Sequence, residues 1–307
     1  MPITIPAVDF RVIMPEIIIT VFACLVMLLE PFLRGEKKSI IPHLSWIGVV
    51  IAAYFCLPLW NSNLSVWDGQ ALGDNLAVIF KIIFLIGTLL TILISYLKST
   101  RTLEGEYYSL ILFSTLGMMI MASSSDLIVI FLGLEVMSIA LYILAGFNRT
   151  DLKSNESSMK YFLMGAFSTG FLLYGIALIY GTTGSTNLNT LVNNASFSEP
   201  LFITGLGLLL VGLGFKVATV PFHMWVPDVY EGAPTAITAF MAAGPKAAGF
   251  AALLRVFLIG LGPLNPTWIT ILWILADLTM TLGNVLAIAQ MNIKRMLAYS
   301  SIAHAGY

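Results

Sequence analysis

The amino-acid sequence predicts an all-α, polytopic membrane protein, and three observations carry that reading. Mean hydropathy is +0.92. Of 307 residues, 58% are hydrophobic and 10% are charged, where soluble domains run near ~25% charged. Apolar runs of membrane-spanning length recur along the whole chain. In hydrocarbon, only helices or closed barrels satisfy every backbone polar group, and runs of this length belong to helices.

Nine complete spans are expected, at 12–33, 40–60, 75–97, 107–123, 126–147, 159–181, 201–222, 234–260 and 267–290, with a tenth starting near 296. The first follows Pro2, Pro6, Asp9 and Arg11 and contains Glu16 early, a pattern unlike a cleavable signal peptide. Turn-forming segments separate the spans, among them RGEKK (34–38), NSNLSVWDGQ (61–70), NRTDLKSNE (148–156) and GTTGSTNLN (181–189). The tenth span stops at Tyr307, about twelve residues in. A helix ending half-way across a bilayer leads to the expectation that the parent protein has further helices.

Charge asymmetry sets the expected orientation. Arg34, Lys37, Lys38, Lys98, Arg101, Arg149, Lys153, Lys160, Lys294 and Arg295 fall in alternate loops, ten on one side. The opposite side has Arg11 alone. The positive-inside rule then places the loops after spans 1, 3, 5, 7 and 9 in the cytoplasm and the amino terminus outside.

The remaining basic residues, Lys81, Lys216, Lys246 and Arg255, fall inside spans. Lys81 and Arg255 lie near span ends, where their stems can snorkel to the surface. Lys216 and Lys246 lie deeper, as does Glu135, nine residues past Asp126 and so about 14 Å along the helix. A charge at that depth costs at least ~2.5–3.5 kcal/mol. Three such residues point to an intramembrane path for protons or ions, or else to a satisfied structural pair. Glu135 and Lys216 are expected to face each other across spans five and seven, since each lowers the other's desolvation cost.

Pro221 and Pro227 follow Lys216 closely, so span seven is expected to be broken. Broken helices beside buried charges are a known arrangement for ion sites. His223, seven residues past Lys216, shares its face if the helix continues. It is then either a proton relay or a histidine bonded at the break. Gly244 and Pro245 precede Lys246 and can bend span eight and admit water. Asp277 in span nine either lines a water path, packs against Thr279 or Asn284, or pairs with Lys246. Cys24 and Cys56 read as core residues, and no Cys/His cluster points to zinc or an Fe–S centre. The Asn-x-Ser/Thr matches at Asn63, Asn148, Asn155 and Asn194 carry no weight. GTTGSTN lacks a P-loop lysine, so nucleotide binding is not expected. Nothing points to nucleic acid.

Four long segments carry a family likeness: 106–147, 154–188, 212–255 with PFHMWVPDVYEGAPT, and 284–307 with KRMLAYSSIAHAG. They closely resemble the subunit N family of bacterial NADH-quinone oxidoreductase, respiratory complex I, one of its antiporter-like membrane subunits. The resemblance implies an antiporter-like fold with inverted five-helix repeats. Residues 1–106 would be an N-terminal three-helix region, 107–260 the first repeat, and 261–307 the incomplete start of the second. It implies proton translocation through Glu135, Lys216, Lys246 and His223, with Asp277 outside the family pattern. The family's further lysine, on helix 12, would lie beyond Tyr307. The resemblance further implies that NADH, FMN, Fe–S clusters and quinone are handled by other subunits and none by this chain, whose partners would be the other membrane-arm subunits and the lipid bilayer. The place is then the bacterial inner membrane. A subunit of a multisubunit Na⁺/H⁺ antiporter or membrane-bound hydrogenase, or a non-transporting scaffold, stays open beside it.

Overall fold

The structure is a computed structural model describing residues 9–33, 35–98, 105–194, 199–262 and 265–307. Of the features read above, Pro2, Pro6, Arg34, Arg101, the side chain of Lys98 and the Ala195–Ser196 half of one Asn-x-Ser match lie outside the described residues.

Helices dominate. A 3₁₀ turn leads into α1 (Met14–Leu29), followed by α2 (Ile40–Cys56). The 61–70 loop then forms an antiparallel hairpin of β1 (Leu64–Val66) and β2 (Ala71–Gly73), with Leu64 opposite Gly73. This small sheet corrects a strictly all-α expectation. Long helices follow: α3 (Asn75–Lys98), α4 (Gly105–Ala122), α5 (Leu127–Ala145) and α6 (Leu152–Thr183). The 182–200 connection holds a short α7 (Leu188–Asn194). The broken span appears as α8 (Pro200–Val217) and α9 (Trp225–Gly232). α10 (Thr235–Leu253) continues as a π-helical turn (Leu254–Gly260) before α11 (Asn265–Ile288) and α12 (Ile293–Gly306).

Among the described residues, eight helices are long and apolar enough to cross a membrane. The expected fourth span, α4, is not one of them. Glu106 in its first turn, with Ser109, Ser114 and Thr115, lowers its hydropathy. Ser109, Ser114 and Thr115 are buried against protein rather than lipid, because α4 packs against α1, α3, α5 and α10 at the centre of the bundle. Gly117 and Gly133 bring α4 and α5 into backbone contact. A Cβ added to Gly133 would lie 2.9 Å from the Gly117 carbonyl oxygen, the close approach small residues allow between membrane helices. α6 begins at Leu152, seven residues earlier than hydropathy indicates, because Asp151 caps it by accepting from the Lys153 N–H.

The two ends of the bundle differ. At one end the hairpin meets the α4–α5 and α6–α7 connections. Leu72 N–H donates to Ser123 O, Ser125 N–H to Gly69 O and Leu127 N–H to Thr186 O. At the other end the α5–α6, α9 and α11–α12 segments form a charge cluster. Lys160 and Arg295 both pair with Asp228 at 2.6 Å, and Lys153 and Arg295 pair with Glu231 at 2.8 and 3.1 Å. Burial pushes the Asp228 carboxyl up, but hydrogen bonds from Lys160 and Arg295 outweigh it and hold the group below the usual carboxylate range. For Glu231, the Lys153 hydrogen bond is the main cause of a similar lowering.

Candidate functional site in the membrane interior

α8 carries Lys216 in its last turn, where a cation is favoured by the helix dipole. The helix ends because Ala218 adopts a left-handed conformation at φ 65° and caps back onto Gly214 and Phe215. The backbone groups freed by the break find protein partners. Trp225 Nε1 donates to Phe215 O at 3.0 Å, Thr219 N–H to Gly214 O at 3.0 Å, and Val220 N–H to Thr279 Oγ1 at 2.9 Å. Such internal satisfaction is what the low-dielectric interior demands.

Lys216 is 3% exposed, and its Nζ makes no hydrogen bond among the described residues. It lies instead over two tyrosine rings, 5.6 Å from the Tyr142 centroid and 5.3 Å from that of Tyr161. Ring faces attract a cation without neutralising it. Gly165 leaves the space in which the Tyr142 hydroxyl rests, since any Cβ there would clash with it. Glu135 is half-buried on α5, with the Thr169 hydroxyl beside it and the Lys216 charge within electrostatic reach. No direct Glu135–Lys216 ion pair forms, and the Glu135 Oε1 atom is buried without a hydrogen-bond partner. The expected pair is therefore not a direct salt bridge: the two groups are within electrostatic reach, with Lys216 lying over the Tyr142 and Tyr161 rings.

Lys246 sits in α10, 6% exposed, immediately after Gly244 and the intrahelical Pro245. Its Nζ donates to Ser301 O at 2.8 Å and to Ser301 Oγ at 2.7 Å, and lies 5.9 Å from the Tyr230 ring centroid. Among the described residues, no carboxylate forms a salt bridge with it. Asp277, the acidic residue nearest on the following span, is exposed on the outer face of α11. Thr279, one expected neighbour of Asp277, is buried, donating to Leu275 O and accepting from Val220. His223 lies beyond the break rather than on a continuing helix, so the seven-residue spacing does not stack it on Lys216. It is half-buried, and its Nδ1 is buried without a partner.

Lys81 and Arg255 do not snorkel. Lys81 is 0% exposed and pairs with Glu16 at 2.6 Å. Arg255 is 2% exposed and forks onto Asp74 at 2.5 and 2.6 Å while donating to Ala122 O. Each cation turns inward because an acid from another helix end is placed to receive it. The acid at Asp74 is itself held below its usual range. Burial raises it, and the Arg255 hydrogen bonds override that.

The tyrosines and Ser301 were not singled out by sequence. Tyr142 stands seven residues after Glu135, two helical turns along one face, so that spacing carried a signal. Ser301 is 55 residues from Lys246 and gave none.

The family profile described as "NADH:quinone oxidoreductase/Mrp antiporter, TM" matches residues 124–307. NADH-quinone oxidoreductase subunit N of Trichlorobacter lovleyi is 53% identical over 308 residues, covering 98% of this chain and 63% of the relative. A chain of respiratory complex I from Thermus thermophilus with bound aureothin aligns with a TM-score of 0.83 and 40% identity, over 96% of this chain and 63% of that one. A chain of an archaeal membrane-bound sulfane sulfur reductase aligns with a TM-score of 0.84 and 25% identity, over 97% and 63%. The chain thus spans 63% of the length of each of these relatives. With the profile covering the broken helix, both deep lysines and Glu135, the chain belongs to the NADH:quinone oxidoreductase/Mrp antiporter transmembrane family.

Proposed function

We propose that the chain acts as subunit N in the membrane arm of a bacterial NADH-quinone oxidoreductase and moves protons through Glu135, Lys216, Lys246 and His223. The observation that carries this reading is the pair of deep lysines with no carboxylate salt bridge among the described residues. A structural cation is neutralised by an acid. A lysine held by ring faces, a hydroxyl and a carbonyl keeps its proton only on a fine balance, so a charge moving nearby changes its state. Glu135 is the group whose charge Lys216 senses, and His223 lies at the break between Lys216 and the α9 end. Asp277 is kept outside this path. In this reading α4 to α10 form the first five-helix repeat, and α11 and α12 begin the second.

NADH, FMN, Fe–S clusters and quinone belong in this proposal to partner subunits, and this chain binds none of them. The neighbours are the other membrane-arm subunits and lipid of the bacterial inner membrane. The amino terminus lies outside the cytoplasm and the Asp228–Glu231 cluster inside. The gathering of Lys153, Lys160 and Arg295 at one end of the bundle supports that orientation. A cysteine replacing exposed Asn155 is expected to resist an impermeant thiol reagent applied to intact cells, and labelling from outside overturns the orientation.

The test of function is NADH-driven proton uptake by inverted membrane vesicles, followed beside NADH oxidation. Lys246→Ala and Lys216→Ala are expected to leave an assembled complex and to reduce protons moved per NADH. Variants that assemble and pump at the wild-type ratio overturn the reading. A gradient exchanged for Na⁺ with no dependence on NADH would point instead to the antiporter branch of the family.

A further inference from the structure

Seven buried side-chain atoms have no hydrogen-bond partner among the described residues. Five of them belong to the two lysine sites and the helix break: Glu135 Oε1, Tyr142 Oη, Lys216 Nζ, His223 Nδ1 and Tyr230 Oη. The two tyrosines are 6% and 2% exposed, and each presents its ring to a lysine. Tyr107, at neither lysine site, shares a hydrogen bond with Ser95 at 2.9 Å. A buried hydroxyl without a partner is costly. Phenylalanine would fill either tyrosine's place without that cost, so packing does not account for the hydroxyls.

The surroundings of Tyr142 show what its hydroxyl can reach. Glu135, Ser138 and Tyr142 share one face of α5, at spacings of three and four. Long side chains on a helix lean back toward its N-terminus, and the Tyr142 hydroxyl accordingly stands beside that of Ser138. Ser138 donates to Leu134 O, which leaves its oxygen able to accept. Across the helix interface, a Cβ on Gly165 would overlap the Tyr142 hydroxyl. Thr169, one turn further along α6, stands beside Glu135. The hydroxyl is therefore held on the stretch of α5–α6 contact next to the glutamate, on a ring whose centroid lies 5.6 Å from Lys216 Nζ.

We propose that Tyr142 is a proton-relay residue between Lys216 and Glu135, which deepens the path proposed above and rests on it. In the step, the Lys216 ammonium swings on its flexible stem from the ring face to the ring edge and gives a proton to Tyr142 Oη. The proton that the tyrosine releases passes toward Glu135 by way of Ser138. Tyrosine and serine each accept one proton and release one. Lysine ends as an amine and glutamate as a carboxylic acid, and the reverse transfer restores both.

The test uses the assembled complex in inverted vesicles, with Lys216→Ala as the reference. Tyr142→Phe keeps the ring and removes only the hydroxyl. It is expected to assemble with heat stability equal to or above wild type, since the lost hydroxyl makes no hydrogen bond among the described residues. Protons moved per NADH are expected to fall to the Lys216→Ala level. 4-Aminophenylalanine at position 142 restores a polar hydrogen at the same place and is expected to recover most of the wild-type ratio. If Tyr142→Phe pumps at the wild-type ratio while Lys216→Ala does not, the relay is overturned and the path stands. Wild-type pumping in Lys216→Ala overturns the path and the relay with it. Lost assembly or stability in Tyr142→Phe, or no recovery with 4-aminophenylalanine, gives the hydroxyl a structural role and also overturns the relay.

Discussion

Four cations are buried among the described residues, and what each faces divides them into two pairs. Lys81 and Arg255, toward the hairpin end, meet carboxylates at 2.6 and 2.5 Å. Lys216 and Lys246, deeper in the bundle, meet tyrosine rings, a serine and a backbone carbonyl. Burial is alike in the two pairs, and the partner is what differs. A carboxylate neutralises a cation, whereas ring faces, a hydroxyl and a carbonyl hold it without doing so. The proposed function assigns the second pair to proton movement.

Stability is where the contrast should be largest. Arg255→Met strands Asp74 and the Ala122 carbonyl and is expected to cost about 3–5 kcal/mol, the usual penalty for breaking a buried pair. Thermal unfolding of the membrane complex reads this out. Wild-type stability in that variant would break the comparison. Next in size, Lys81→Met alone is expected to destabilise, while adding Glu16→Gln recovers part of the loss. A double-mutant cycle measures that recovery, which is expected to reach about 1 kcal/mol or more because the two groups touch. A strictly additive result would mean the 2.6 Å contact carries no coupling.

Lys246→Met leaves the Ser301 carbonyl and hydroxyl without their donor, and the expected cost is about 1–3 kcal/mol. Lys216→Met removes a cation that makes no hydrogen bond. Its stability is expected to match or exceed wild type even as pumping fails. A steep loss of stability there would place Lys216 with the structural pair. The smallest effect is expected from pH. The Asp228 and Glu231 carboxyls are held low, so their ion pairs contribute fully above the ordinary carboxylate range of about 4. That contribution is lost as pH falls through their folded values, because the unfolded chain then takes up protons more readily. Amide exchange in α9, compared at pH 7 and at about pH 3, should show the clamp loosening only in the acid sample. Exchange that does not change with pH would count against it.

Much of this was legible in the sequence for a physical reason. Charges are so costly in hydrocarbon that Glu135, Lys216 and Lys246 stand out against their apolar runs, and Pro221 with Pro227 announces the break that the structure realises at Ala218. Partners were not legible. Lys81 and Arg255 sit near span ends, where snorkelling and inward pairing give the same pattern along the chain. Only the packing of α1 on α4, and of α10 on α3 and α4, brings Glu16 and Asp74 into reach. Asp277 shows the converse. Its depth in an apolar run resembles that of Lys246, yet within these 307 residues the face of α11 it occupies is uncovered. The hairpin escaped notice because its strands are three residues each and lie in a stretch rich in turn formers.

The short helix after the break joins the two lysine sites. α9 is only eight residues long. Trp225 at its start lies flat on Tyr161 at 4.6 Å and 7°, and Tyr161 is one of the rings beneath Lys216. Tyr230 near its end lies beneath Lys246. Asp228 and Glu231, on the same two turns, are bolted to the charge cluster at the bundle's end. Trp225 and Tyr230 stand five residues apart on this one short helix. The two lysine environments are therefore joined through a single segment, and that segment is anchored at a salt-bridged surface rather than in the membrane interior.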